Sequence, residues 1–222
     1  MLVRTDGDVF HVRPGTCDEE VLRARYQRWR FLPAGLRIGP SDVVVDAGAH
    51  IGAFTVMAAR AAVRGSVHAL EPSEDNCRLL RANVQENALR NVTIHRVALG
   101  PGAGTGVLMH GADSWAHALA PNGGAGGDRE LVPTETLEGF LAAQGLDRVD
   151  YLKMNVESAE YAVLLGAPEH ALRRIRCMLV EYHPSAAHGP EELAERLGRH
   201  GFRVSTMADK GDRGKGWLAA TA

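Results

Sequence analysis

The chain has 222 residues, 45% of them hydrophobic, which is enough apolar material for one large α/β core, and no linker-like stretch divides it. Its 25 basic and 27 acidic residues are interspersed and leave a formal net charge of -2, which argues against the basic footprint of a nucleic-acid binder. Arg4, Asp6 and Asp8 replace an apolar leader, no long uncharged apolar run follows, and Cys17, Cys77 and Cys177 stand far apart, so a cytoplasmic protein without membrane span, disulfide set or zinc motif is expected.

The first predicted element is a helix over about Val21 to Phe31, preceded by Arg13-Pro14-Gly15-Thr16-Cys17-Asp18. Both lie ahead of the first sheet strand, so residues 1–38 are read as a helical cover over a core spanning 39–222. Val43-Val44-Val45 then reads as a buried strand, and Asp46-Ala47-Gly48-Ala49-His50-Ile51-Gly52 as a tight turn opening into a helix over Ala53 to Ala62. That order places helix N–H groups beside a ligand at the strand's carboxyl end. Ser66 to Leu70 is a second strand, and Glu71-Pro72 puts a carboxylate about 20 residues past the turn, where such folds bind ribose hydroxyls.

Ser73 can cap a helix reaching about Ala88, with Cys77, Leu80 and Val84 facing the sheet, and Val92 to Val97 alternates as a third strand. Gly100 to Gly106 lacks the ending of a phosphate loop and reads as a connection. Residues 110–130, with Trp115, His117 and the glycine-rich Asn122 to Gly127, form a long segment read as a substrate loop. Beyond it come a helix over Leu137 to Gln144, a fourth strand over Val149 to Val156, a helix over Ala159 to Leu165 and a fifth strand over Ile175 to Tyr182. Pro190 opens a helix that Gly201 ends, and Phe202 to Met207 and Trp217 to Thr221 complete a doubly wound, mostly parallel seven-stranded sheet with helices on both faces.

Asp46 stands where a dinucleotide fingerprint has its first glycine. A carboxylate repels a diphosphate and suits a ligand carrying an ammonium group, which favours S-adenosylmethionine over a nicotinamide or flavin dinucleotide.

Three stretches together resemble the FkbM family of S-adenosylmethionine-dependent methyltransferases: Asp46 to Thr55, Glu71-Pro72, and Lys153-Met154-Asn155-Val156-Glu157-Ser158-Ala159-Glu160. Arg13 to Asp18 with Tyr26 is similar to that family's amino-terminal signature, and the similarity runs from about residue 10 to about residue 184. The family usually has aspartate in place of Asn155 and glycine in place of Ser158. The resemblance implies a Rossmann-like class I methyltransferase and methylation of a small-molecule hydroxyl, such as that of a natural-product or sugar intermediate. Methylation at nitrogen or carboxylate, and a cofactor-binding module without methyl transfer, are the alternatives. A nicotinamide-dependent oxidoreductase is disfavoured by Asp46.

The cofactor site is assigned to Asp46, Gly48, His50, Gly52, Phe54, Glu71, Pro72, Asn76, Ala98 and Asn155, with Tyr26 reaching it from the cover. The catalytic candidates are Glu157, His183 and Asn155 at the ends of the fourth and fifth strands. An amide does not titrate, so Asn155 would position a ligand, whereas Glu157 or His183 could take the acceptor's proton. Each has a structural alternative: Glu157 as a helix-start acid, His183 as a ring packed on Pro184. Asn155, Glu157, Glu181 and His183 bring metal-type donors to neighbouring strand ends, but no compact ligand motif accompanies them and no metal ligand is assigned. The expected partner is a small-molecule acceptor, without nucleic acid or membrane, and a homo-oligomer is compatible with the sequence.

Overall fold

The computed structural model describes residues 1–23, 36–111, 117–120, 128–183, 185, 187–208 and 214–222. It begins with a hairpin, β1 (Leu2–Thr5) paired antiparallel with β2 (Asp8–His11) around Asp6 and Gly7, both at positive φ. The cover is therefore part strand, with a helical segment at 18–23; the predicted helix beyond residue 23, with Tyr26, lies outside the described residues. Two four-residue strands are too short to leave a clear alternation, which is why the sequence reading missed them.

The core then alternates β3 (Val43–Ala47), α1 (Ala53–Ala61), β4 (Ser66–Leu70), α2 (Glu74–Glu86) and β5 (Val92–His95). After β6 (Ala98–Leu99), β7 (Gly104–Met109), β8 (Ala118–Leu119) and β9 (Arg129–Glu135) come α3 (Leu137–Ala143) and β10 (Tyr151–Met154). The chain closes with α4 (Glu160–Gly166), α5 (Glu169–Leu172), β11 (Cys177–Tyr182), α6 (Pro190–Arg199), β12 (Arg203–Ala208) and β13 (Gly216–Thr221). Seven strands form one sheet in the order β12-β13-β11-β10-β3-β4-β5, in which β13 alone runs antiparallel to its neighbours. The expected doubly wound, mostly parallel sheet is thus found. Strand order reverses between β3 and β10, and the crevice above their carboxyl ends is where such sheets bind ligands.

Period-two burial explains why helices cover both faces. Val44, Val67, Tyr151, Cys177 and Leu179 meet Phe54, Val56 and Ala58 of α1 and the hairpin residues Val3 and Phe10. Val45, Leu152, Met154, Met178 and Val180 meet Phe140 of α3, Leu164 of α4 and Leu193 and Leu197 of α6. Each such buried side chain contributes roughly 1.5–3 kcal/mol. Asn83 on α2 and Asn87, the residue that caps its carboxyl end, stand in for a further strand beside the hairpin. Asn87 accepts from Val9 N at 3.0 Å and donates to Val9 O at 2.7 Å, while Asn83 accepts from His11 N at 2.6 Å and donates to Ile51 O at 2.7 Å.

The sequence reading is corrected most between residues 98 and 136. Instead of a connection followed by one long loop, a second sheet forms in the order β6-β9-β7-β8. Gly104, Gly106 and Pro133 sit inside its strands and mask their pattern. The third strand of the main sheet accordingly ends at His95, and Ala98–Leu99 belong to the second sheet. Residues 112–116 and 121–127 of the predicted substrate loop lie outside the described residues.

One half-buried polar pair makes stability pH-dependent. His68 and His95 stack with centroids 5.4 Å apart, joined Nδ1 to Nε2 at 3.2 Å, with Phe140 edge-on to both. Burial lowers both pKa values, and His68 adds to the effect on His95, which falls to about 4 from 6.5. The neutral pair is therefore native. Its contribution is complete above the unfolded value near 6.5 and is lost as pH falls towards 4. Thermal melts should show Tm dropping across this interval, and the drop should shrink in His95→Leu; identical pH profiles would contradict the assignment.

Candidate active site

A cavity of about 790 Å³, counting its open mouth, lies over the carboxyl ends of β3, β4 and β10. The β3 turn lines one wall with Gly48, Ala49 and His50; Glu71, Pro72 and Asn76 line the next; Asn155, Val156 and Glu157 close the third. Ala98, Leu108, His117 and Leu119 reach it from the second sheet and the segment flanking β8, and Val21 from the cover. The sequence-assigned Gly48, His50, Glu71, Pro72, Asn76, Ala98, Asn155 and Glu157 are brought together here.

Gly48 shows why the turn needs glycine. Its φ is +75°, and a Cβ there would lie 1.7 Å from the backbone oxygen of Asn155, so any side chain would push β10's exit away from the turn. Asn155 N donates to Ala47 O at 2.9 Å, which locks the two strand ends together.

Glu71 is 4% exposed and set by local donors. Its Oε2 accepts from His50 N at 2.7 Å, and its Oε1 from Ser73 N at 3.0 Å and Asn76 Nδ2 at 3.2 Å. Burial pushes its carboxyl pKa up, against the opposing pull of His50 and these hydrogen bonds. A carboxylate has about four acceptor sites, so capacity for a ligand hydroxyl remains.

The cover is clamped to this wall by Arg13, which donates to Asp18 Oδ2 at 2.8 Å and Oδ1 at 3.0 Å and to Asn76 Oδ1 at 2.8 Å, and lies 3.3 Å from His50 Nε2. Asp18 is fully buried. Arg13 and Asp18 therefore hold the cover to the wall that carries His50 and Asn76, a role the sequence reading gave only as a general cover.

Three assigned residues are placed differently. Asp46 does not line the cavity; it is fully buried, 3.0 Å from Lys153 Nζ, and accepts from Thr55 Oγ1 at 2.6 Å. Its charge is matched inside the protein, so the expected attraction for a ligand ammonium does not operate through it. Gly52, at φ +93°, is instead where α1 begins, and a Cβ there would meet Leu80 Cδ1 at 2.5 Å. Phe54 is a core ring, its centroid 5.7 Å from that of Tyr151.

Lys153 is the residue the sequence reading passed over. It is 2% exposed, lines the cavity floor, and donates to Gly48 O at 2.7 Å. A lysine inside the apolar fourth strand, with an acid at the end of the apolar first strand, was the available signal. The β3–β10 register sets Lys153 directly opposite Asp46.

Beyond the third wall, His183 is 3% exposed and does not line the cavity. Its N–H donates to Glu160 Oε1 at 2.7 Å, its Nδ1 lies 3.1 Å from the same oxygen, and its Nε2 lies 3.0 Å from Glu157 Oε2. Burial alone would lower its pKa, but the Glu157 and Glu160 carboxylates outweigh that and hold it up to about 9. Of the two titratable candidates, Glu157 lines the cavity and His183 lies behind it. Glu160 is fully buried, starts α4 and orients His183.

Glu157 and Ser158 have φ of +47° and +78°. Two successive residues with side chains in the left-handed region are strained, at about 1–2 kcal/mol each. The Ser158 conformation explains why glycine suits that position.

The family model described as the methyltransferase FkbM domain matches residues 46–204, which span this cavity and most of the main sheet. The chain belongs to the FkbM methyltransferase family. It is 29% identical to the 31-O-demethyl-FK506 methyltransferase FkbM of Streptomyces tacrolimicus, over 90% of this chain and 87% of that one. It is also 31% identical, over 79% of its length, to the AMB antimetabolite synthetase AmbE of Pseudomonas aeruginosa, of which it spans only 10%. In fold it is similar to the methyltransferase FkbM of Methylobacillus flagellatus, with a TM-score of 0.56 at 18% identity, covering 86% of this chain and 46% of that one. This FkbM-family chain is a methyltransferase with a Rossmann-like sheet, and no described helix is long and apolar enough to cross a membrane.

Proposed function

We propose that this chain transfers a methyl group from S-adenosylmethionine to a hydroxyl oxygen of a small molecule. The observation that carries the reading is that Glu71 and Glu157 both line one cavity above the strand reversal. Glu71 would receive the ribose hydroxyls, and the acceptor would lie towards Glu157. Lys153, the lysine lining this cavity among the described residues, is tied to Asp46 and Gly48 O, so it is not available to meet a diphosphate. A phosphate-free nucleoside suits this lining better than a dinucleotide, for a different reason from the one Asp46 suggested.

S-adenosylmethionine supplies a methyl group already activated on a sulfonium. Methyl transfer breaks the sulfur–carbon bond and forms a carbon–oxygen bond, and the hydroxyl proton must leave. Gly48 lets the turn close against the exit of β10 and so shapes the cavity, Asn155 orients ligand groups by hydrogen bonding, and Glu157 accepts the proton.

Calorimetry tests the cofactor reading. S-adenosylhomocysteine should bind, and Glu71→Ala should weaken it by about 1–3 kcal/mol, because charge-assisted hydrogen bonds to the ribose are lost. Binding of NAD(P)H without S-adenosylhomocysteine would overturn the reading, and unchanged affinity in the variant would reject Glu71 as the ribose ligand.

A further inference from the structure

The donors noted at neighbouring strand ends converge in three dimensions. One ligand atom each from Glu157, Glu181 and His183 lies within 4.8 Å of the others. Glu181 is 5% exposed and sits at the carboxyl end of β11, beside the end of β10. We infer that Glu157, Glu181 and His183 form a binding site for a divalent first-row cation where Glu157 borders the cavity, with Glu181 and His183 behind that wall.

Three observations carry this beyond a cluster of acids. The first is the histidine's orientation. Its Nδ1 is held by the fully buried Glu160, which leaves Nε2 as the nitrogen facing Glu157. A carboxylate on the far nitrogen of an imidazole is the outer-shell partner that metal-ligating histidines almost always have, because it fixes the ring and raises its basicity.

The second is a set of buried polar atoms that lack hydrogen bonds. Among the described residues, Glu157 Oε1 is buried without a hydrogen-bond partner, and His183 Nε2 meets Glu157 Oε2 at 3.0 Å as an ion-pair contact outside good hydrogen-bond geometry. Leaving such atoms unsatisfied costs free energy that a coordinated cation would recover. A bound cation would take the place of the imidazole proton, as metals do at histidine ligands.

The third is backbone strain. Glu157 projects from a left-handed residue followed by another, and such strain collects where side-chain placement is functional. Two carboxylates and one imidazole suit Mn²⁺, Fe²⁺ or Zn²⁺ better than a soft thiolate metal. Glu157 also lines the cavity, so the cation could bind the acceptor's oxygen and lower its pKa. That catalytic use rests on the hydroxyl-methylation reading; the existence of the site does not.

The test is a Mn²⁺ titration of the full chain after EDTA treatment, followed by electron paramagnetic resonance, with Zn²⁺ as competitor. One saturable site per chain is expected, abolished in Glu181→Gln and His183→Gln and weakened about 10- to 100-fold in Glu160→Gln, as for other outer-shell partners. Retained binding of S-adenosylhomocysteine shows that a variant is folded, and Glu181→Gln serves if His183→Gln is not. Absence of a saturable site, or a site indifferent to Glu181→Gln in folded protein, would overturn the proposal and leave an imidazolium held by carboxylates. Mn²⁺ binding without any S-adenosylhomocysteine binding would support the site and sink the cofactor reading.

Discussion

Lys153→Met is expected to lower the free energy of unfolding by about 3–5 kcal/mol, the usual cost of removing one member of a buried ion pair. Methionine fills most of the lysine's volume, so packing is not the main term. What changes is that the Asp46 carboxylate, fully buried, loses the ammonium 3.0 Å away and keeps the Thr55 hydroxyl. Gly48 O loses its 2.7 Å donor at the same time, so the cavity turn loosens and cofactor affinity falls with stability. The double variant Asp46→Asn, Lys153→Met removes both charges. It should be more stable than the sum of the single effects by about 0.5–3 kcal/mol, the range for residues in contact. Chemical denaturation of the four proteins gives this coupling directly. A single-variant cost below about 1 kcal/mol would mean that the pair behaves as a solvated surface bridge.

This pair also marks the boundary of what the sequence can convey. The Val43 to Gly52 corner was legible because its signals are local: three β-branched residues, then glycines where the chain turns. Glu71 was legible by its spacing from that turn. The partner of Asp46 was not, because it depends on which strand lies beside β3 and in what register. The same reasoning covers the second sheet, where β6 pairs with β9 across more than thirty residues and internal glycine and proline hide the alternation. His183 was legible as a strand-end residue, but the carboxylates around it were not. Its charge state is set by Glu157 and Glu160, which reach it only once α4 packs beside β11.

Glu157→Gln is expected to reduce kcat by about 100-fold or more, the typical contribution of a group that handles a proton in the transition state. Affinity for S-adenosylhomocysteine should stay within a few-fold of wild type. The two cavity acids can be separated in this way because their surroundings differ. Glu71 already accepts three local hydrogen bonds and shapes the ground state, whereas Glu157 has one oxygen at His183 and the other without a hydrogen-bond partner. Glutamine preserves the shape and the strained backbone but removes the charge, so a loss confined to kcat assigns that charge to the chemical step. The same loss is expected whether the carboxylate takes the proton or holds a cation that ionises the hydroxyl, and the Mn²⁺ titration separates the two. A parallel fall in Tm and activity would instead return Glu157 to the role of a structural acid beside α4, and full activity would exclude it from the reaction.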